Sequence, residues 1–469
     1  MRRRARGQGL LPFAAEAMER REDVTARAGL TLVAEALLAL RLDEVTEALL
    51  PVRRRQRGAK AFECVQAVVL TLSGGGERVE DIDRLGDDAG LMRLLGRPLP
   101  SSDAVHRFLR VFHDEEQVKQ RPAEGAWIPS ENAALQGLGA VNVELVRRAT
   151  WRRRPARATL DLDATVIESH KRDAKAHYKG GRGYQPTAVL WAEEDLVVAD
   201  QYRDGNVPAG MDTLTVAERA FSALPDTVRE RRFRGDSACY DERLLKWLWR
   251  EKIAFTISAD MSPELRQVCS APAVKWKPFE DRATEVVAVS EVEFTPGRWP
   301  KSAEPMRYVA IRFSGKQGRL FSDGNATKYL AVVSNRRDPS AEDLVRWHWE
   351  KAGTVELLHD VTKNDLGARL PPSGRLGTNA AWYRLALLTY NVLSVLKAAA
   401  LPDRLRRARP KRLRWEVFTV PAELTSHSRE LTARLAAPAA TVDELLDARE
   451  RLVAFRDELD VFLARTPAP

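Results

Sequence analysis

The chain has 469 residues and carries 75 Lys and Arg against 66 Asp and Glu, a formal net charge of +9; its length allows about three domains. No apolar run approaches the roughly 20 residues that cross a bilayer. The three cysteines, Cys64, Cys239 and Cys269, are too few and too far apart for a disulfide framework or a zinc module. A membrane protein, a secreted disulfide scaffold and a zinc domain are therefore excluded, and a reducing cytoplasm is the expected location.

The opening, residues 1–27, reads as a basic arm: Met1-Arg-Arg-Arg-Ala-Arg6 is positive, but Pro12 and Glu16 break the apolar stretch that a signal peptide needs. Residues 28–150 read as a helical DNA-binding domain. Apolar positions recur at spacings of three and four through Leu30 to Leu50 and Phe62 to Leu72. Leu99-Pro-Ser-Ser102 then supplies a cap for a basic amphipathic helix from Asp103 to Phe112, whose polar side carries His106, Arg107 and Arg110. That helix is the candidate groove reader. After a Pro- and Gly-containing stretch, a further helix leads into Arg147, Arg148, Arg152, Arg153, Arg154 and Arg157. Such a cluster releases counterions from a polyphosphate, which favours a nucleic-acid partner; a solvated, arginine-biased surface is the plainer alternative.

From Ala158 the period changes from helical to alternating. Thr159 to Ile167, Tyr184 to Trp191 and Leu196 to Tyr202 read as strands, Met211 to Leu224 as a helix, Arg231 to Asp236 as a strand, Asp241 to Lys252 as a helix and Ile253 to Ser258 as a strand. The order βββαβαβ matches the ribonuclease H-like core, in which the first and fourth strands lie side by side. The expected fold class is thus α/β: a core built from 158–260 and 335–400, with a β-rich insertion at 261–334. A helical pattern from about Ser340 to Lys363 and an apolar helix from Thr378 to Ala400 follow. Residues 401–469 read as a basic helical C-terminal region, with seven basic residues between Arg404 and Arg414.

Three carboxylates from distant segments carry the chemistry: Asp163 in the first strand, Asp236 after the fourth, and Glu356 in the late helical run. Hard oxygen donors of this kind suit magnesium, with manganese as a substitute, and magnesium leaves coordination places for phosphate oxygens. Asp161 and Asp163 point to the same side of a strand, so spacing alone does not choose between them. Asp163 is preferred because it lies nearer the strand's C-terminal end, where open sheets bind ligands; Asp161 is the alternate ligand. On a helix, Glu356, His359 and Lys363 form one polar stripe, with Leu357, Leu358 and Val361 on the far side with Trp347. His359 and Lys363 then face DNA, unless the stripe is merely an exposed face held by a Glu to His pair. Lys179 and Arg182 flank a glycine-rich turn that either holds the DNA backbone or closes an ordinary hairpin. Trp349 and Trp382 either stack on an unpaired base or belong to the core.

The phrases Leu160-Asp-Leu-Asp-Ala-Thr165, Tyr178-Lys-Gly180 with Gly183-Tyr-Gln-Pro186, Arg234-Gly-Asp-Ser-Ala238, Lys351-Ala-Gly-Thr-Val-Glu356 with Lys363-Asn364, and Asn379-Ala-Ala-Trp382 with Leu388-Thr-Tyr-Asn391 together resemble the DDE insertion-sequence transposases of bacteria, the cut-and-paste group with a β-rich insertion. The likeness runs from about residue 28 to residue 400. It implies that Asp163, Asp236 and Glu356 form the DDE triad and bind the metal, and that Lys363 contacts phosphate. Many members of that group have a Tyr and an Arg ahead of the final Glu, where this chain has Trp349 and Lys351 or Ala352.

The resulting expectation is a metal-dependent transposase that binds inverted terminal repeats, cleaves the element ends and joins 3′ hydroxyls to target DNA by two-metal phosphoryl transfer, as a homodimer at the nucleoid. Arg152, Arg153, Arg154, Arg107 and Arg110 would add DNA contacts. A ribonuclease H-like nuclease without strand transfer and a non-catalytic DNA-binding relative are the rival readings.

Overall fold

The computed structural model describes residues 18–52, 58–171, 173–297, 299, 304–428 and 430–465, so most of the expected N-terminal arm lies outside the described residues. The chain folds as two compact units, one drawn from Met1–Glu47, Val52–Phe108 and Val395–Pro469, the other from Ala48–Pro51 and Leu109–Ser394. The first unit therefore joins the early helices to the C-terminal region, which the sequence had placed in separate domains. The helix Ala133–Thr150, expected in the helical domain, lies in the second unit.

The second unit is built on one nine-stranded mixed sheet. Its strands are β1 (Arg157–Ala164), β2 (Thr187–Trp191), β3 (Leu196–Gln201), β4 (Glu230–Gly235), β5 (Ala254–Ser258), β6 (Lys277–Asp281), β7 (Glu285–Val292), β8 (Arg307–Gly315) and β9 (Thr327–Ser334). They lie in the order β6-β7-β8-β9-β5-β4-β1-β2-β3. Strands β1, β4 and β5 run parallel to their neighbours within that trio, and the other pairings are antiparallel. Parallel neighbours need crossovers, and helices α1 (Thr213–Ser222) and α2 (Glu242–Arg250) supply them. Asp241 caps α2 by accepting the N–H groups of Arg243 and Leu244.

The strands expected as an inserted subdomain do not form a sheet of their own. β9 pairs with β5, with Val333 opposite Ile257, so β6 to β9 prolong the core sheet. Their apolar face, Val287, Val289, Val309, Ile311 and Val332, packs on Leu344 and Val345 of helix α3 (Ala341–Trp349). The stretch between β5 and β7 also contains a helix, Pro263–Ser270, and the strand β6, neither of them expected.

The helical pattern read as continuous from Ser340 to Lys363 is broken. α3 ends at Trp349, a 3-10 turn spans Glu350–Gly353, and α4 (Val355–Asp365) begins after Thr354, whose φ of -119° and ψ of -89° are not helical. A 3-10 turn advances about 120° per residue against about 100° in an α-helix, so a pattern carried across it loses its phase. A fifth helix, α5 (Leu376–Ala399), follows.

The first unit holds the helices Thr31–Ala39, Ala61–Gly74, Asp81–Gly86 and Ala89–Leu94, most of Leu42–Leu49, and the long helix Ala439–Arg465. The C-terminal region is not wholly helical. The strands Ala422–His427 and Glu430–Leu435 form a hairpin, and Val24–Thr25 pairs with its first strand. Among the described residues, no helix is long and apolar enough to cross a membrane.

Candidate active site

β1 and β4 are parallel, with Leu162 opposite Gly235. Asp163 and Asp236 are each the next residue along, so they lie side by side at the C-terminal ends of these strands, Asp163 still paired with Ala188 of β2. Gly235 makes the exit at Asp236 feasible, because a Cβ there would lie 2.6 Å from both Cβ and Sγ of Cys239. The Asp236 carboxylate accepts the N–H of Ala238 at 3.0 Å, starting the turn Ser237–Cys239. Asp163 Oδ1 accepts the N–H of Ala164 at 3.0 Å.

Glu356 stands in the first turn of α4, with its side chain 56% exposed. Between it and Asp163 lies a residue the sequence reading did not select. Lys351, almost buried, places Nζ 3.9 Å from Asp163 Oδ2 and 4.0 Å from Glu356 Oε1. Among the described residues, no three His, Cys, Asp or Glu side chains stand close enough together to hold one ion.

The electrostatics of Asp163 are unusual for a surface-edge carboxylate. Burial pushes its pKa up to about 6; Lys351 opposes the rise, and the charges of Asp236 and Glu356 add to it. His359 Nε2 lies 4.0 Å from Asp163 Oδ2, yet neither ring nitrogen has a hydrogen-bond partner among the described residues. Burial, together with the nearby Lys363 charge, pushes the imidazole down to about 3, so it is neutral.

Asp161 has a different environment. It is fully buried and opposite Arg234 in the strand register. Arg234 donates Nε to Oδ1 at 2.6 Å and Nη2 to Oδ2 at 2.8 Å, and the Thr354 hydroxyl donates to Oδ2. Arg234 Nη1 also reaches the carbonyl of Trp347 at 2.7 Å and Glu350 at 2.9 Å. Asp161 thus anchors the break between α3 and α4, and every one of its oxygens is in use.

The helical stripe expected on α4 needs correction. Val355, Leu358, His359, Val361, Thr362 and Asp365 form its buried arc, so His359 lies inside the protein and does not reach DNA. Leu357, expected in the core, is 44% exposed. Glu356 and Lys363, about 20° apart on the wheel, do share the rim of that arc. Lys363 Nζ donates to Thr165 Oγ1 at 2.8 Å, and burial lowers its pKa. Trp382 is core, with Nε1 bonded to the Gly367 carbonyl at 3.0 Å.

Lys179 and Arg182 are exposed beside a small sheet formed by Ile167–Glu168, Lys175–Ala176 and Arg182–Tyr184. Lys179 Nζ lies 5.7 Å from the Tyr178 ring centre, and Arg182 Nε donates to the Ala174 carbonyl at 2.8 Å. Arg107 and Arg110 are exposed on the helix Ser102–Arg110, where His106 pairs with Glu80 at 3.0 Å. Arg152, Arg153 and Arg154 are exposed as well, and Arg153 is paired with Glu194.

A cavity of about 720 Å³ opens beside Asp236, Lys351 and Glu356, with Phe313 and Trp349 in its wall. The Arg282 guanidinium lies 4.9 Å from the Trp349 ring centre. Acidic, basic and flat apolar groups therefore meet in one recess.

The family described as Transposase DDE domain group 1 matches residues 16–457. The chain belongs to that family. No curated protein matches the chain. Among solved structures, a piggyBac transposase in a synaptic complex with hairpin DNA aligns over 92% of this chain and 82% of that chain, at 11% identity and a TM-score of 0.47.

Proposed function

We propose that the protein is a DNA transposase with a ribonuclease H-like core that binds inverted terminal repeats, cleaves the element ends and joins the freed 3′ hydroxyls to target DNA. The observation that carries this reading is the pairing of Asp163 and Asp236 at the ends of adjacent parallel strands, with Lys351 within 4.0 Å of both Asp163 and Glu356.

Asp163, Asp236 and Glu356 would hold magnesium, or manganese in its place, and the bound ions would supply activation of the attacking oxygen and charge stabilisation of the leaving oxygen, the two-metal pattern. Two features fit such a cation. The Lys351 ammonium already lies between Asp163 and Glu356, and Asp163 is a largely dehydrated carboxylate surrounded by further negative charge. All three donors are hard oxygens.

The chain's own residues divide the remaining work. Lys351 and Lys363 neutralise and orient phosphate as point charges. His359, neutral and dry, walls off one side of Asp163 from water. The recess at Phe313 and Trp349 takes the flat surface of a nucleotide next to the reacting phosphate. Lys179, Arg182, Arg107, Arg110, Arg152 and Arg154 bear on the DNA backbone. Each copy would act within a homodimer holding two element ends, at the nucleoid.

The test is strand cleavage and joining on a duplex carrying one element end, in magnesium. Asp163→Ala, Asp236→Ala and Glu356→Ala should each slow cleavage more than about 100-fold, the size expected when a metal ligand is lost, while duplex binding changes little. Wild-type protein that neither cuts nor joins such a duplex overturns the reading.

A further inference from the structure

In the first unit, a short helix, Pro410–Leu413, runs into a wider π-turn, Arg414–Phe418. Turns of this type inside helices recur at functional sites. Leu413, Val417 and Phe418 are buried. Arg414 points inward too, donating to the carbonyls of Ser73 at 2.9 Å and Leu72 at 2.8 Å at the C-terminal end of the helix Ala61–Gly74, where Leu72 also accepts the N–H of Gly75. The other side is closed by Gly29, where a Cβ would lie 1.7 Å from the Val417 carbonyl oxygen.

On this firmly anchored turn, Trp415 is 85% exposed, the most exposed of the large apolar side chains among the described residues. It adds almost nothing to the core. Around it, Arg404 and Arg412 are tied to Glu416, and Arg404 also to Glu444. Arg406 and Arg407 are exposed and have no ion-pair partner among the described residues. An exposed indole on a turn that the Arg404–Glu416 pair ties to the segment carrying Arg406 and Arg407 matches a partner that offers both phosphate charge and a free aromatic face. Paired bases cover one another's faces, whereas an unpaired base offers one to a side chain.

We propose that this turn is a second DNA contact, separate from the carboxylate site, in which Arg406 and Arg407 bind backbone phosphates and Trp415 stacks on an unpaired base next to a duplex. It rests on the reading that the chain handles DNA, and adds a place and a form of DNA to it.

The experiment measures binding of the full chain to a blunt duplex and to the same duplex with a single-stranded tail, by fluorescence anisotropy over a series of salt concentrations. Trp415→Ala should weaken tailed-duplex binding by about fivefold or more, as expected for loss of one base stack, leaving the salt slope and the blunt-duplex affinity unchanged. Trp415→Phe should retain most of the affinity. Arg406→Gln with Arg407→Gln should instead weaken both duplexes and flatten the log-log salt slope by up to about 1.8, roughly 0.9 per phosphate contact. Wild-type binding with no change in any variant overturns this proposal and leaves the functional reading standing. The same follows if Trp415→Ala converts a dimer to a monomer at unchanged DNA affinity, because the turn is then an interface between copies of the chain. Wild-type protein that binds neither duplex overturns the functional reading and this proposal together.

Discussion

Asp161 and Asp163 are two residues apart on one strand, and their surroundings could hardly differ more. Asp161 is enclosed by Arg234 and Thr354, with a donor for each oxygen. Asp163 has one backbone donor, an ammonium 3.9 Å away and a dry imidazole at 4.0 Å. A buried charge with its partners in place holds structure together, whereas a carboxylate kept dry and short of donors is poised for something not yet bound. The buried network of Arg384 with Asp200 and Glu131 is of the first kind, with the guanidinium bonded to both carboxylates.

The largest expected effect follows from the satisfied side of this comparison. Asp161→Ala leaves Arg234 buried without its main counter-charge, which costs about 3 to 5 kcal/mol. Chemical denaturation should show that loss, and with it the turn that carries Lys351 and Glu356 should loosen. An Asp161→Ala protein as stable as the wild type would remove the distinction between the two carboxylates.

The open side gives a pH signature of opposite sign. Asp163 has its pKa raised to about 6 from 3.8, so the folded state holds this proton more tightly than the unfolded chain does. Its contribution to stability is complete below about pH 4 and is lost as pH rises through about 6. Asp163→Asn removes that loss. In metal-free buffer it should therefore be more stable than the wild type at pH 8, by about 3 kcal/mol, with the advantage shrinking as pH falls through 6 and vanishing near 4. A constant difference across that range would place the carboxyl in an ordinary solvated setting.

Smaller still is the effect expected at the arginine cluster, where the same contrast between occupied and open charge applies. Arg153 is paired with Glu194, so its charge is partly spent within the protein. Neutralising Arg154 should flatten the salt dependence of DNA binding by about 0.9, and neutralising Arg153 by less. Equal slopes for the two variants would mean that the Glu194 pair opens when DNA binds.

Much of this was legible in the sequence because alternation and helical period report burial directly. The strands around Asp163 and Asp236 were located within a few residues, and the order of the main-sheet strands and helices from Ala158 to Ser258 was read, but the small sheet of Ile167–Glu168, Lys175–Ala176 and Arg182–Tyr184 was not, because its strands are two or three residues long and were absorbed into their neighbours. The break at Glu350–Gly353 was not, since apolar positions recur at helical spacing on both sides of it. Within α4 itself, where the break plays no part, taking polarity as a sign of exposure put Leu357 inside and His359 outside. Arg234 left a signal that went unused: it precedes Asp236 by two residues, as Asp161 precedes Asp163, so adjacent parallel strands in register bring arginine and aspartate opposite each other. Lys351 was marked only by the resemblance, as standing near where many members of the group have an Arg; its place between two carboxylates depends on the turn that spacing could not reveal.

The claim that Asp163 is the open carboxylate and Asp161 the structural one is tested most directly by isothermal titration of manganese into the wild type and Asp163→Asn, with folding checked by circular dichroism. The account predicts binding at least about tenfold weaker in Asp163→Asn, the scale on which lost metal contacts are felt, in a protein that remains folded. Equal manganese affinity in the two proteins would contradict it.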